Sequence, residues 1–182
     1  MRGCQAFSEE VPYDSQTNPF AAALLCVTCR TSDVPASGFS NDPHAVSIPL
    51  IRFRTDSIAF ESSSGVGEAQ NFVIMDTTAW NELWQRIYAT QTPVPPLPDV
   101  DFNTQMVVAT AIGGKPTGGY DVLLTGAAQE TGGLVIAVRA TSPGAHCIVT
   151  QAFTQPIDIA WLAKTGGDVR FEQTRQVVDC GS

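Results

Sequence analysis

A chain of 182 residues suits one domain with an additional segment, and its 43% hydrophobic content is enough for a folded core. With 18 acidic against 10 basic side chains the formal net charge is −8. That balance argues against nucleic acid or an anionic lipid surface as the main partner, since both need clustered Lys and Arg.

Residues 1–45 are rich in Ser, Thr, Asn, Asp and Pro, and stretches such as SEEVPYDSQTNP and TSDVPASGFSNDP read as irregular, turn-rich chain. The apolar run Ala21–Val27 is far shorter than the ~20 residues needed to span a bilayer. From Val46 the texture changes. AVSIPLIRFR alternates apolar and polar positions and predicts a strand whose Pro49 suits a sheet edge. SIAFES predicts a second short strand, SSSGVGEAQ a loop, and NFVIMD a third strand apolar enough to be buried.

Next comes a helix. Trp80, Leu83, Trp84, Ile87 and Tyr88 recur at i, i+3, i+4, i+7 and i+8 and share one face, with Asp76, Thr77 or Thr78 able to cap the start. TPVPPLPDV ends it and reads as a stiff, polyproline-like connector packed on its own domain. The remainder reads as strands at short spacing: QMVVATAI, YDVLLTGA, GLVIAVRAT, GAHCIVTQAF, PIDIAWLAK and DVRFEQ. No crossover helices fit between them. The expected fold is therefore mainly β with one amphipathic helix, an antiparallel β-sandwich or partial barrel. The expected organisation is an irregular cysteine-containing segment over 1–45, a β-rich domain over 46–175, and a tail over 176–182.

No catalytic constellation emerges. The glycine-rich GGKPTGG lacks the Ser or Thr and the helix of a phosphate-binding loop, and G-x-S-x-G and H-E-x-x-H are absent. His44 and His146 are the only histidines, and His146 reads as a solvent-facing loop residue. Asp99 and Asp101 have no third acidic ligand in register and read as turn residues. The protein is thus expected not to be an enzyme and to carry no metal or cofactor.

Five cysteines remain. In an oxidising compartment four pair and one is left over. Three pairings of Cys26, Cys29, Cys147 and Cys180 are open, and the expected one joins Cys147 to Cys180 and Cys26 to Cys29. Cys4, next to Gly3, is the odd one. In a bacterial lipoprotein signal a Gly-Cys pair stands directly after the apolar stretch. Cys4 is therefore the expected lipidation site, with an ordinary free thiol as the alternative.

The ordered set TTAWNELW, PDVDFNTQMVVATAIGGKPTGGYDV, LVIAVRATSPG and TQPIDIAWL resembles the C-terminal domain of the protease complex subunit PrcB family. The resemblance rests on Trp80 and Trp84, on Val100, Asp101 and Phe102, on Gly114, Thr117, Gly118, Gly119 and Tyr120, and on Pro143, Thr154 and Pro156. It runs from about Ile51 to Phe171. It implies an extracytoplasmic binding module of the bacterial cell envelope, possessing a protein partner such as a surface protease and touching the membrane only through a lipid anchor. A second likeness is one of loop shape: KPTGGY is similar to the N-P-T-T-G-Y loop of chagasin-type cysteine protease inhibitors, though Lys115 and Gly118 depart from it. That likeness implies insertion of residues 115–120 into a protease cleft. On either reading Lys115, Pro116, Thr117, Gly118, Gly119 and Tyr120 are the expected partner-binding residues, with Lys115 at the exposed tip. The plain alternative for the same residues is a hairpin turn.

Overall fold

The computed structural model describes residues 42–53 and 64–181, all within one compact unit, Pro35–Ser182. SIAFES and Cys4, Cys26 and Cys29 lie outside the described residues.

Two four-stranded sheets face each other, as expected of a β-sandwich. In chain order the elements are β1 (Val46–Ile48), β2 (Ile51–Arg52), β3 (Ala69–Ile74), α1 (Thr77–Ile87), β4 (Gln105–Ile112), β5 (Asp121–Glu130), β6 (Gly133–Pro143), β7 (Ile157–Ala163) and β8 (Val169–Val178). One sheet has the order β1-β5-β6-β8 and the other β2-β7-β4-β3.

Several expectations change in detail. AVSIPLIRFR is two strands, not one. β1 pairs with β5 in one sheet and β2 with β7 in the other, so the chain changes sheets across Pro49 and Leu50. Proline has no N–H to continue a ladder, which makes it a natural place for that switch. NFVIMD is buried only in part: Ile74 is in the core, but β3 is the outer strand of its sheet, and Val73 is 40% exposed. GAHCIVTQAF forms no strand. Cys147 is tied to the chain terminus, Ile148 is fully exposed, and the segment spends backbone groups on the loop at 113–120 instead of on a ladder.

The sandwich is not wholly antiparallel either. β6 and β8 run parallel because the chain leaves β6, forms β7 in the opposite sheet, and returns alongside β6. β8 also continues through Val178, beyond the point at which a tail was expected.

Strand periodicity accounts for the two cores. Along β4, Val107, Ala109 and Ala111 turn to one side and Met106 and Val108 to the other. The first set meets the helix face of Trp80, Leu83, Trp84 and Ile87 together with Ile157 and Ile159. The second meets Leu124, Leu134, Ile136 and Leu162 between the sheets. The helix begins where Asp76 accepts the Ala79 N–H at 2.9 Å. The proline-rich connector lies against it, its Pro98 and Pro95 carbonyls accepting the indole N–H groups of Trp80 and Trp84 at 3.0 and 2.9 Å. Asp101 closes the turn before β4, accepting from the Asn103 amide and the Thr104 hydroxyl.

A half-buried polar node joins the sheets. Asp158 of β7 accepts the Leu124 N–H at 2.7 Å and the Arg52 Nε–H at 3.2 Å, and Arg52 also donates to the Leu124 carbonyl. β5 is irregular between Leu124 and Gly126, and these side chains satisfy backbone groups that lie beyond its short pairing with β1. Burial pushes the Asp158 carboxyl up from 3.8, and the Leu124 N–H and Arg52 pull it only part of the way back. A carboxyl raised in the folded state contributes most in acid, and that contribution is lost as pH rises through the native pKa. We therefore expect the stability of the parent, measured relative to Asp158→Asn by urea midpoints, to fall as pH is raised from 3.8 through the native value. A constant difference would rule out the raised carboxyl.

Candidate functional site

GGKPTGGY, residues 113–120, does not form a hairpin. It links β4 in one sheet to β5 in the other, and it is fastened along most of its length. The Gly114 N–H donates to the Gly67 carbonyl at 2.9 Å. Lys115 and Thr154 exchange both backbone bonds, at 2.7 and 2.9 Å, and the Gly118 N–H reaches the Thr150 carbonyl at 2.9 Å. The Thr154 hydroxyl, itself buried, donates to the Thr117 carbonyl at 2.9 Å. The segment 150–156, whose composition partly suggests a strand, is therefore the platform on which the loop rests.

The two glycines at its end do different things. Gly119 sits at φ +82°, where a β-branched side chain is strained. Gly118 is constrained by space instead, because a Cβ there would lie 2.3 Å from the Thr150 hydroxyl oxygen. Gly119→Val is expected to destabilise by about 1 kcal/mol or more. Gly118→Ala should lose stability in the parent and recover part of it in a Thr150→Ala or Thr150→Gly background, where the hydroxyl oxygen is gone. Equal losses in all backgrounds, read from urea midpoints, would show that the contact with Thr150 is not what excludes a side chain.

Lys115 is not at an exposed tip. It is half-buried, with its ammonium 5.7 Å from the centre of the Tyr120 ring, a cation–π distance. Pro116 and Gly119 are the exposed residues of the loop, while Thr117 and Tyr120 are half-buried. Lys115 and Tyr120 form one wall of a cleft of about 320 Å³, which also includes Ile112, Ser142, Gln173 and Arg175. The loop thus brings Lys115 and Tyr120, two of its six expected binding residues, to a concave surface, uses Thr117 and Gly118 in the fastening, and leaves Pro116 and Gly119 exposed.

Arg175, Gln173 and Ser142 were not singled out from the sequence. The expected strand stops at Gln173, although the period of two continues through Val169, Phe171, Gln173, Arg175 and Val177. Neither Lys115 nor Arg175 forms an ion pair with a carboxylate among the described residues. In a chain of net charge −8, two cations without acidic partners on one cleft form a local exception to the overall sign.

At the far end of β8, Cys147 and Cys180 form a disulfide with an S–S distance of 1.96 Å. His146 beside it is exposed and 3.9 Å from the equally exposed Asp179 carboxylate, so it does not partner the cysteine. Among the described residues no group of three His, Cys, Asp or Glu side chains could hold a metal ion. No described helix is long and apolar enough to cross a membrane.

Part of this surface falls within a match to a known sequence family. Residues 106–162 match the family model PrcB C-terminal. The match takes in nearly all of β4 and β7, the whole 113–120 loop, β5, β6 and the 150–156 platform, and it leaves out the tryptophan helix and β8. The PrcB-like part thus supplies Lys115, Tyr120 and Ser142 of the cleft, while Gln173 and Arg175 come from outside the matched residues. No curated protein matches the chain, and no solved structure does.

Proposed function

We propose that this PrcB-like domain is a non-enzymatic, extracytoplasmic binding module that associates with a protease complex and assists or stabilises its protein partner. The observation that carries the reading is the match of residues 106–162 to the PrcB C-terminal family, whose span includes the fastened loop and one wall of the cleft. A surface that is already shaped loses little conformational entropy when a partner docks on it. The disulfide Cys147–Cys180 supports an oxidising location outside the cytoplasm. Cys4 is the residue we assign to lipid attachment at the cell envelope. The alternative role, insertion of residues 115–120 into a protease cleft, would need those residues free to project, and their bonds to Thr150 and Thr154 weigh against it.

The test uses the full chain, cross-linked in envelope extract and recovered by affinity. A recovered protease whose activity or heat resistance rises in the presence of this protein is the expected result. A protease that is inhibited instead would establish the alternative. Recovery of no protease would overturn the association.

A further inference from the structure

On one side of the sandwich each sheet ends, among the described residues, in an edge strand. β8 is the last strand of one sheet and β3 the last of the other, and among the described residues neither has a strand on its outer edge. Register shows which side chains face the space between them. Ala69, Asn71 and Val73 stand opposite Ile112, Thr110 and Val108, and Gln173 and Arg175 stand beside Val138 and Ala140. Directly paired residues share a face. Val108 and Val138 belong to the core between the sheets, so all five side chains point inward. All five are nevertheless exposed. The sandwich is open along this side, and the cleft holding Lys115 and Arg175 lies at the end of the opening.

We infer that this open side receives an extended segment of the partner protein, which adds as a strand to the outer edge of β8 and directs an Asp or Glu side chain into the cleft between Lys115 and Arg175. β8 offers 10 residues of edge, enough for a full added strand, whose backbone bonds would supply affinity while alternate side chains supply specificity. An inward side chain of the added strand would neighbour Arg175. There it would meet a guanidinium and an ammonium that lack carboxylate partners, together with the Ser142 hydroxyl and the Gln173 amide. Val177 and Val178, 66% and 42% exposed, give the end of the same strand apolar surface for the segment to cover.

An inward-pointing charge on an edge strand can also serve to repel unwanted pairing. One arginine is enough for that. Here a second cation arrives from the loop between the sheets, held in place by the 150–156 platform, and both line one concavity whose lining contains no Asp or Glu. Convergence from separate elements is the mark of a recognition site more than of a guard.

The experiment presents the full, disulfide-intact chain with a display library of twelve-residue segments embedded between linkers, so that no free terminus is offered. Enrichment of one Asp or Glu flanked by alternating β-branched residues is expected. The enriched peptide, capped at both ends and labelled for anisotropy, should bind Lys115→Gln and Arg175→Gln about tenfold more weakly, the size of one charge-assisted hydrogen bond. Arg175→Lys should recover part of the loss. Methylating alternate peptide nitrogens should abolish binding in one register and spare it in the other. Enrichment of acid-free peptides, no enrichment, unchanged affinity for Arg175→Gln, or indifference to methylation would each overturn the inference. So would tighter peptide binding or new self-association by Arg175→Gln, the result expected of a guard residue. A concentration-dependent dimer of the parent that Arg175→Glu abolishes would assign the edge to a second copy and overturn it as well. The inference rests on the proposed role only for the partner's being a protein. A protease recovered from extract alongside failure of the peptide arm would leave that role standing and remove only the strand-addition site.

Discussion

Truncating Trp84 to alanine is expected to destabilise the domain by about 3–5 kcal/mol, the range seen when a large aromatic is removed from a core. Trp84 is completely buried. Its ring meets Trp80 edge-on at 5.2 Å and Tyr88 at 4.7 Å, and its N–H donates to the Pro95 carbonyl at 2.9 Å. Alanine would leave a cavity between the helix and the second sheet and would deprive the Pro95 carbonyl of its donor. The connector 92–100 is held to the helix by this bond and by that of Trp80, so loss of one should loosen the connector as well as the core. Trp84→Phe separates the two effects. It keeps an aromatic ring and removes the N–H, and it should cost about 1–2 kcal/mol, the net value of a buried hydrogen bond plus a small packing loss. Urea midpoints at unchanged slope give both numbers. A midpoint for Trp84→Ala within error of the parent would mean that the helix face is not part of the core.

The helix was legible because five apolar residues repeat with a helical period and nothing else competes for them. β4 to β7 were legible as short apolar or alternating runs between turn residues, and the near-continuous apolar run of β4 matches its burial on both faces. What was hidden depends on partners distant in sequence. NFVIMD is apolar enough for a buried strand, and only the sheet order makes it an edge. GAHCIVTQAF has the composition of a strand, but Cys147 answers to Cys180, and Thr150, like Thr154 just after the stretch, answers to the loop at 113–120. GGKPTGGY looked like a turn because glycine marks any sharp change of direction. Its two ends lie in different sheets, a fact that no local pattern contains. The cleft was half legible: Lys115 and Tyr120 stood out through the unusual loop, whereas Arg175 sat past the apparent end of a strand whose outer half is polar. The parallel run of β8 along β6 brings Arg175 within reach, and that depends on where β7 goes.

Breaking the Cys147–Cys180 bond is the second change expected to have a large effect. The bridge spans a separation of 33 residues, for which loop-closure entropy of the unfolded chain predicts about 3–4 kcal/mol. The loop it closes contains all of β7 and all of β8, so an unfolded chain without the bridge gains freedom over much of the second half of the domain. A local consequence should accompany the global one. The end of β8 is held by its parallel pairing with β6, by the Gly144 N–H donating to the Val178 carbonyl at 2.8 Å, and by the disulfide just beyond. With Cys147 and Cys180 both replaced by serine, the last residues of the strand lose their covalent anchor while Phe171, packed in the core between the sheets, keeps its place. Amide exchange should therefore rise most from Arg175 to Val178 and little at Phe171, and urea unfolding should shift by about 3–4 kcal/mol. The double variant should also weaken binding of an acidic extended peptide, because Arg175 lies on the loosened part of the strand. An unchanged urea midpoint would show that the unfolded chain is not materially constrained by this bridge. A midpoint that falls while exchange at Arg175 to Val178 stays slow would place its whole effect in the unfolded state and leave the edge strand rigid without it.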